Sequence, residues 1–310
     1  MMRRWRLFPG SSVCGLAIAA GLLHLCCNSK NAEAPAEKSL VVFVTIAPQA
    51  YFVEKVAGGH ARVEVLVSPG QSYHTFEPTQ RQIQAISGSR AYFGIGVPFE
   101  AGIRDRIGSV SDRIKFVDTS EGIERRPGVE CFHDDGGAAE HHHEDEEGDP
   151  HIWLDPRIVK RLAGRIEQTF SELDPDHAAE YRKNLTSFES ELDAVHSKLT
   201  EMLAPCRGKT FFVFHPSFGY FGDAYGLKQV AIEEGGKEPG ARQIRMLVEK
   251  ARASGARVIF VQPQFAATGA EAVARELGAK LDTLDPLARD YLKNLDNTAQ
   301  KIRSALAPVD

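Results

Sequence analysis

The sequence predicts an α/β protein with two lobes, each holding a roughly four-stranded parallel sheet flanked by helices, and a single long helix joining the lobes. Short β-branched and aromatic runs alternate with helical segments in two separate regions, which is typical of parallel sheets. Between these regions lies an amphipathic segment, Pro175 to Leu203, without glycine or internal proline. The chain has 310 residues, more than one hydrophobic core usually supports, so two lobes are expected.

The first lobe is predicted at residues 39–156. It opens with SLVVFVTI, a β-branched run without alternation, which is typical of a strand buried on both faces. A helix closed by Gly58-Gly59 follows, and the alternation then continues. The predicted strands are Ser39–Ile46, Arg62–Val67, Ala91–Ile95 and Ile114–Val117, and the predicted helices are Gln49–Ala57, Thr79–Ile86 and Ala101–Ile107.

Residues 157–208 are predicted to be linking helices, and residues 209–310 the second lobe. A helix from Pro156 to Leu173 breaks near Asp174, and the helix from Pro175 to Leu203 would be roughly 43 Å long at 1.5 Å per residue. The strands predicted in the second lobe are Thr210–Phe214, Gln229–Ile232, Val258–Val261 and Lys280–Leu284. The helices predicted there are Tyr220–Tyr225, Ala241–Ala253, Gly269–Leu277 and Leu287–Leu306.

Residues 1–38 have the pattern of a signal peptide followed by a polar tail. Three arginines among the first six residues precede an apolar run, Val13 to Leu25, of about 13 residues, short of the ~20 that span a bilayer. We therefore expect a periplasmic or extracytoplasmic protein. A lipid anchor at Cys26 or Cys27 stays open, because the leucine before Cys26 is bulkier than the residue usual at such sites.

The net charge of −5 gives no indication of a basic face, so nucleic acid is not an expected partner. Two cysteines, Cys131 and Cys206, lie in the body of the chain and would be able to pair in an oxidising compartment. Whether they pair is open. They have no CxxC spacing, so a cysteine-based zinc site is not expected.

Four candidate metal ligands follow from the predicted strand ends. His74 and Asp285 follow strands, His215 ends one, and His151 lies in the segment DPHIWLDP. Parallel sheets bind ligands at the carboxyl ends of their strands. Three imidazoles and one carboxylate suit a divalent transition metal. Each residue also has an alternative: a loop histidine satisfied by the backbone, or, for Asp285, a helix cap.

A charged loop at residues 131–149 precedes His151 and contains the tract EHHHEDEEGD. It has no apolar residue in that tract, so we expect a flexible metal-attracting segment, with a simple solvated loop as the alternative. Glu77 and Asp155 are candidate partners that fix the imidazole tautomers. The auxiliary ligands predicted in the loop are His141, His142 and His143.

The segments PGQSYHTFEP, GDPHIWLDP, FFVFHPSFGYFGDAYGL and TLDPL resemble the signature segments of the periplasmic metal-binding proteins of zinc and manganese ABC transporters. The resemblance extends over about residues 39–306. It implies two (β/α) lobes, a rigid linking helix and a metal in the cleft. It also implies His74, His151 and His215 as ligands, with Asp285 or a water in the fourth place.

The zinc branch of this family is the expected one. His215 stands where manganese binders of the family tend to have glutamate, and imidazole-rich sites favour zinc over manganese. We expect a monomeric, non-enzymatic protein that captures Zn²⁺ as cargo with high affinity and delivers it to an ABC transporter permease. The alternatives are a manganese or iron binder of the same family, a zinc-dependent hydrolase, although HExxH is missing, and a surface adhesin.

Overall fold

The computed structural model describes residues 39–108, 113–128, 148–233, 239–266 and 268–307. The predicted export segment, residues 1–38, and residues 129–147, which hold most of the charged loop, lie outside these ranges. Cys131 does too, and Cys206, its only possible partner in the body of the chain, is buried. Among the described helices, none combines the length and the apolar composition that a membrane crossing requires.

Four parallel strands form the first sheet, in the spatial order β2-β1-β3-β4. The central strand β1 has Val42 and Val44 fully buried, which accounts for its unbroken β-branched run. The elements of this lobe are β1 (Leu40–Val44), α1 (Ala47–Ala57), β2 (Ala61–Val65), α2 (Gln80–Ser87), β3 (Ala91–Gly94), α3 (Phe99–Gly108) and β4 (Lys115–Asp118).

The second sheet repeats this design, with parallel strands in the order β6-β5-β7-β8. Here β5 is central, and its Phe212 and Val213 are fully buried. The elements are β5 (Thr210–Val213), α6 (Gly219–Tyr225), β6 (Lys228–Ala231), α7 (Ala241–Ala253), β7 (Val258–Val261), α8 (Thr268–Leu277), β8 (Lys280–Thr283) and α9 (Tyr291–Leu306).

Two helices connect the lobes, α4 (Pro156–Leu173) and the 26-residue α5 (Ala178–Leu203). Asp155 begins α4 by accepting the backbone N–H of Arg157 at 2.8 Å, and Pro156 occupies the first helical position. The prediction of two parallel-sheet lobes joined by a long helix is confirmed. The predicted long helix differs only in its first turn: Pro175–His177 is a 3₁₀ turn, and α5 begins at Ala178. The exact domain boundaries stay predictions.

One buried cluster of apolar side chains runs through both lobes and along α5. Phe52 of α1 illustrates it: its ring lies 4.8 Å from that of Tyr291 on α9, edge to face, and 6.1 Å from that of Phe188 on α5. Each lobe has a second cluster on the far side of its sheet. The lobes are therefore packed on each other as well as tethered by the helices.

The closing helix begins later than predicted, at Tyr291 rather than Leu287. The backbone N–H of Leu287 donates to Oδ1 of Asp285 at 2.9 Å, and Nδ2 of Asn294 donates to the Asp285 carbonyl at 2.7 Å. Nε1 of Trp153 donates to the carbonyl of Pro286 at 2.8 Å. These bonds hold a loop after β8 against the first lobe, so the predicted helix start was wrong.

Candidate metal centre

Three histidines meet where the two lobes face each other. His74 lies in the loop after β2, His151 precedes the 3₁₀ turn Ile152–Leu154, and His215 follows β5. Each offers a ligand atom, and these atoms all lie within 4.8 Å of one another. The ring centroids of His74 and His215 are 4.7 Å apart, and those of His151 and His215 are 5.3 Å apart. The structure thus brings together three of the four predicted ligands.

His151 is fixed from one side by Asp149. Oδ1 of Asp149 lies 2.7 Å from Nδ1 of the ring and accepts the His151 backbone N–H at 2.9 Å. Nδ1 therefore carries the proton, and Nε2 is left to accept from the Tyr73 hydroxyl at 2.8 Å or to bind a metal. Burial alone would raise the pKa of Asp149, but the attraction of His151 and the hydrogen bonds from His151 and Arg126 hold it below its usual value.

Arg126 joins this pair to the second lobe. Its Nη1 donates to Oδ2 of Asp149 at 3.0 Å, and its Nε donates to Oδ2 of Asp223 on α6, also at 3.0 Å. The Tyr220 hydroxyl accepts the Arg126 backbone N–H and donates to the Asp149 carbonyl, both at 3.0 Å. A Cβ at Gly219 would lie 1.7 Å from Nη1 of Arg126, so glycine permits this close approach.

His215 is held as tightly in the second lobe. Its Nδ1 is 2.5 Å from Oε1 of Glu233, and the buried Gln262 side chain accepts its backbone N–H and donates to its carbonyl, each at 3.0 Å. The ring of Phe265 stacks on the imidazole at 4.2 Å. Burial, with the neighbouring His151 and His74, lowers the pKa of His215 well below its usual value. The ring is therefore neutral at pH 7, the form that binds metal.

His74 is the least buried of the three. Its backbone N–H donates to Oγ of Ser72 at 3.2 Å, and its ring lies 4.1 Å from that of Tyr73. Nε2 of His74 is 3.0 Å from Nε2 of His215. Two nitrogens bound to one tetrahedral zinc at about 2.0 Å would be about 3.3 Å apart. The pair is close to the spacing that a shared cation needs.

Among the described residues, Asp285 does not join the three histidines in the group whose ligand atoms lie within 4.8 Å of one another. Its Oδ1 accepts from Nε2 of Gln264 at 2.6 Å and from the backbone of Leu287. It follows β8, which is separated from β5 by β7, whereas Glu233 follows β6, the direct neighbour of β5. The rule that ligands bind at the carboxyl ends of parallel strands placed Asp285 at the correct end of the sheet. It does not predict how far apart two residues lie across the sheet.

Neither of the two predicted outer partners is bonded to a cleft histidine, and two other carboxylates were missed. Glu77 is exposed, and Asp155 caps α4 and pairs with Arg157. The carboxylates that hold the cleft imidazoles are Asp149 and Glu233. Asp149 stands two residues before His151, a spacing that lets its side chain bond back to the following backbone. His141, His142 and His143 lie outside the described residues.

A family model described as "ZnuA: Zinc-uptake complex component A periplasmic" matches residues 42–305. The chain belongs to this family. The match spans both sheets, the linking helices and all three histidines, so the zinc-uptake component A family accounts for the whole described fold. The predicted resemblance to the zinc branch of the transporter-associated metal-binding proteins is confirmed.

Individual members of the zinc-uptake component A family are similar over different lengths. The high-affinity zinc uptake system protein ZnuA of Brucella abortus (strain 2308) is 36% identical over 160 residues, 51% of this chain and 48% of that protein. The chain thus spans about half the length of such curated relatives. A crystal structure of ZnuA has a TM-score of 0.79 at 36% identity, with 87% of this chain and 100% of that chain covered. A ZnuA deletion mutant with zinc bound has a TM-score of 0.78 at 36% identity, covering 88% and 100%.

Proposed function

We propose that this protein binds Zn²⁺ in the cleft between its lobes, outside the cytoplasmic membrane, and delivers it to the permease of an ABC transporter. The observation that carries the proposal is the convergence of His74, His151 and His215. Two of these rings have Nδ1 committed to a carboxylate, so Nε2 is the ring nitrogen of each that would bind the metal. Membership of the zinc-uptake family and the zinc-bound relative support the proposal.

Three imidazole ligands leave one position open in a tetrahedral zinc site. Ser217 Oγ and Gln264 Oε1 line the same pocket, and both are buried with no hydrogen-bond partner among the described residues. We propose that they hold a water in the fourth position. Oδ1 of Asp285, the alternative ligand, already accepts from Gln264 and from the backbone N–H of Leu287.

Zinc is the proposed cargo rather than manganese, because nitrogen-rich sites suit zinc and Mn²⁺ prefers oxygen ligands. Metal analysis of the mature protein, followed by competition between Zn²⁺ and Mn²⁺, tests this. Zinc should be retained against excess manganese. His215→Glu should reduce the preference for zinc over manganese. His196 is a part-buried histidine on α5 outside the cleft, so His196→Gln should leave that preference unchanged. Displacement of zinc by manganese from the unaltered protein would contradict the proposal.

A zinc hydrolase is the competing function, since an open fourth position can activate water. The buried carboxylates beside the three histidines, Asp149 and Glu233, are committed to Nδ1 of His151 and of His215 and position those rings. We propose that the protein is not an enzyme. Zinc-loaded protein should not turn over ester or phosphoester substrates, and robust zinc-dependent turnover that His151→Ala removes would overturn this.

The charged tract is proposed to collect cations and pass them to the cleft, in a monomer that is either free in the periplasm or lipid-anchored at Cys26 or Cys27. Growth under zinc limitation tests the transport role directly. A strain lacking the protein should grow poorly when zinc is chelated and recover when zinc is added. Normal growth of that strain would favour an adhesin or another surface role.

A further inference from the structure

We propose a second transition-metal site, separate from the cleft, formed by His60, Asp174 and His177. Among the described residues these three form the other group whose ligand atoms all lie within 4.8 Å of one another. His60 directly precedes β2, whereas His74 follows that strand. The two groups therefore lie at opposite ends of the β2 strand and share no residue.

The donor set suits zinc. Nδ1 of His177 lies 2.8 Å from Oδ2 of Asp174, and Nε2 of His60 lies 3.1 Å from Oε2 of Glu180. Donor atoms around a tetrahedral zinc are about 3.3 Å apart, given metal–ligand bonds of about 2.0 Å. The ring centroids of His60 and His177 are 4.0 Å apart. The ligand atoms of the two imidazoles and of Asp174 all lie within 4.8 Å of one another, and Glu180 offers a fourth donor that also balances the charge.

Two separate turns deliver these side chains, and contacts with α5 anchor both. His60 ends the 3₁₀ turn after α1, while Asp174 and His177 bound the turn between α4 and α5. The buried Tyr181 donates its hydroxyl to Oδ2 of Asp174 at 2.5 Å, which orients the carboxylate. Nδ2 of Asn184 donates to the carbonyl of Val56 at 3.1 Å, which ties the end of α1 to α5.

The group is reachable from solvent yet partly shielded from it. The side chains of His60, His177 and Asp174 are 21%, 23% and 22% exposed. Partial burial strengthens metal–ligand attraction relative to a fully hydrated cluster. A metal bound here would clamp the end of α1 to the start of α5. We assign the site to zinc or a similar divalent ion such as Co²⁺, bound more weakly than in the closed cleft.

The test removes the competing sites first. In the full mature chain, His141, His142 and His143 are replaced by alanine, together with His74→Ala and His151→Ala. Isothermal titration with Zn²⁺ should then still find one site per chain. Adding His60→Gln and His177→Asn should weaken that site by more than about tenfold, the loss seen even for outer partners of a metal. His196→Gln, introduced instead of those two substitutions, should not weaken the site. No residual site, or one insensitive to the pair, would overturn the proposal.

A second measurement avoids the altered cleft. With only the loop histidines replaced and the cleft filled by one equivalent of zinc, further zinc should shift the ring C–H NMR resonances of His60 and His177 together. Asp174→Asn should raise the zinc concentration needed for that shift by several-fold. Resonances that stay unchanged would show that the cluster is a hydrogen-bonded cap alone, and would leave the proposed function of the cleft untouched.

Discussion

Oδ1 of Asp149 serves both the backbone N–H and the ring Nδ1 of His151, at 2.9 and 2.7 Å. One carboxylate oxygen therefore sets the position and the tautomer of the imidazole together. Arg126 holds the other oxygen and reaches across to Asp223 in the second lobe. The orientation of a first-lobe histidine thus depends on a contact with the second lobe.

Asp149→Asn should lower zinc affinity by about 10–100-fold, the range typical of outer partners of a metal-bound histidine. Asparagine can still accept a hydrogen bond from Nδ1, but the negative charge that strengthens the imidazole as a ligand is lost. A competition titration against a chromophoric chelator measures this. Asp223→Asn is the matched control, because this exposed carboxylate also binds Arg126 but contacts no histidine of the cleft in the structure. Equal losses in both variants would contradict the role assigned to Asp149.

Gly219→Ala should weaken zinc binding by a smaller factor. The new Cβ would lie 1.7 Å from Nη1 of Arg126 and 2.8 Å from Oδ2 of Asp149, so the guanidinium must move away. Gly164→Ala on α4 is the control, since its Cβ would meet nothing within 4 Å. Competition for zinc against a chelator measures the affinity of both variants, under conditions in which both are fully folded. Unchanged affinity in Gly219→Ala would show that Arg126 does not help to position His151.

Phe52→Ala should destabilise the whole described body, by about 3–5 kcal/mol, since it empties a fully buried site that touches α5 and α9. Urea unfolding followed by circular dichroism and by Trp153 fluorescence should shift to lower midpoints in parallel. Met246→Ala, at a partly exposed residue of the second lobe, should shift them little. Separate transitions by the two probes would contradict a shared core.

Deleting residues 140–147 should reduce the number of weakly bound zinc ions and leave the tightest site intact, because the cleft histidines lie elsewhere in the chain. His151→Ala should do the opposite, with a loss of affinity larger than the about 10–100-fold expected for an outer partner. Titrations over a wide zinc range separate the two effects. A large loss of tight binding in the deletion variant would mean that the tract contributes ligands to the cleft.

Local pattern was sufficient to predict the fold. The alternation of short strand-like runs with helical segments predicted every strand to within a few residues. The β-branched run of the central strand β1 reflects its burial between helices on both faces of the sheet. The absence of glycine between Pro175 and Leu203 predicted the long helix. The rule that parallel strands bind ligands at their carboxyl ends then selected His74 and His215 before any geometry was known.

The spatial order of the strands in each sheet does not follow from the local sequence pattern. Glu233 reaches His215 because β6 pairs directly with β5, and Asp285 follows β8, two strands away. Strand order depends on long-range packing, so Asp285 was predicted from the sequence and Glu233 was not. Asp149 was assigned to the charged tract because its neighbours are acidic, although its spacing from His151 fits a side-chain turn. His60 and His177 are far apart in sequence, and no local pattern connects them.

The buried cluster that runs from β1 through α5 to α9 has a consequence for how such proteins can be recombined. Phe52 would lose Tyr291, its partner on α9, if the second lobe were exchanged for that of a relative. The two lobes resemble duplicated modules in topology, but neither carries a complete interior. A chimera is expected to fold only when the facing residues of α1, α5 and α9 come from the same parent.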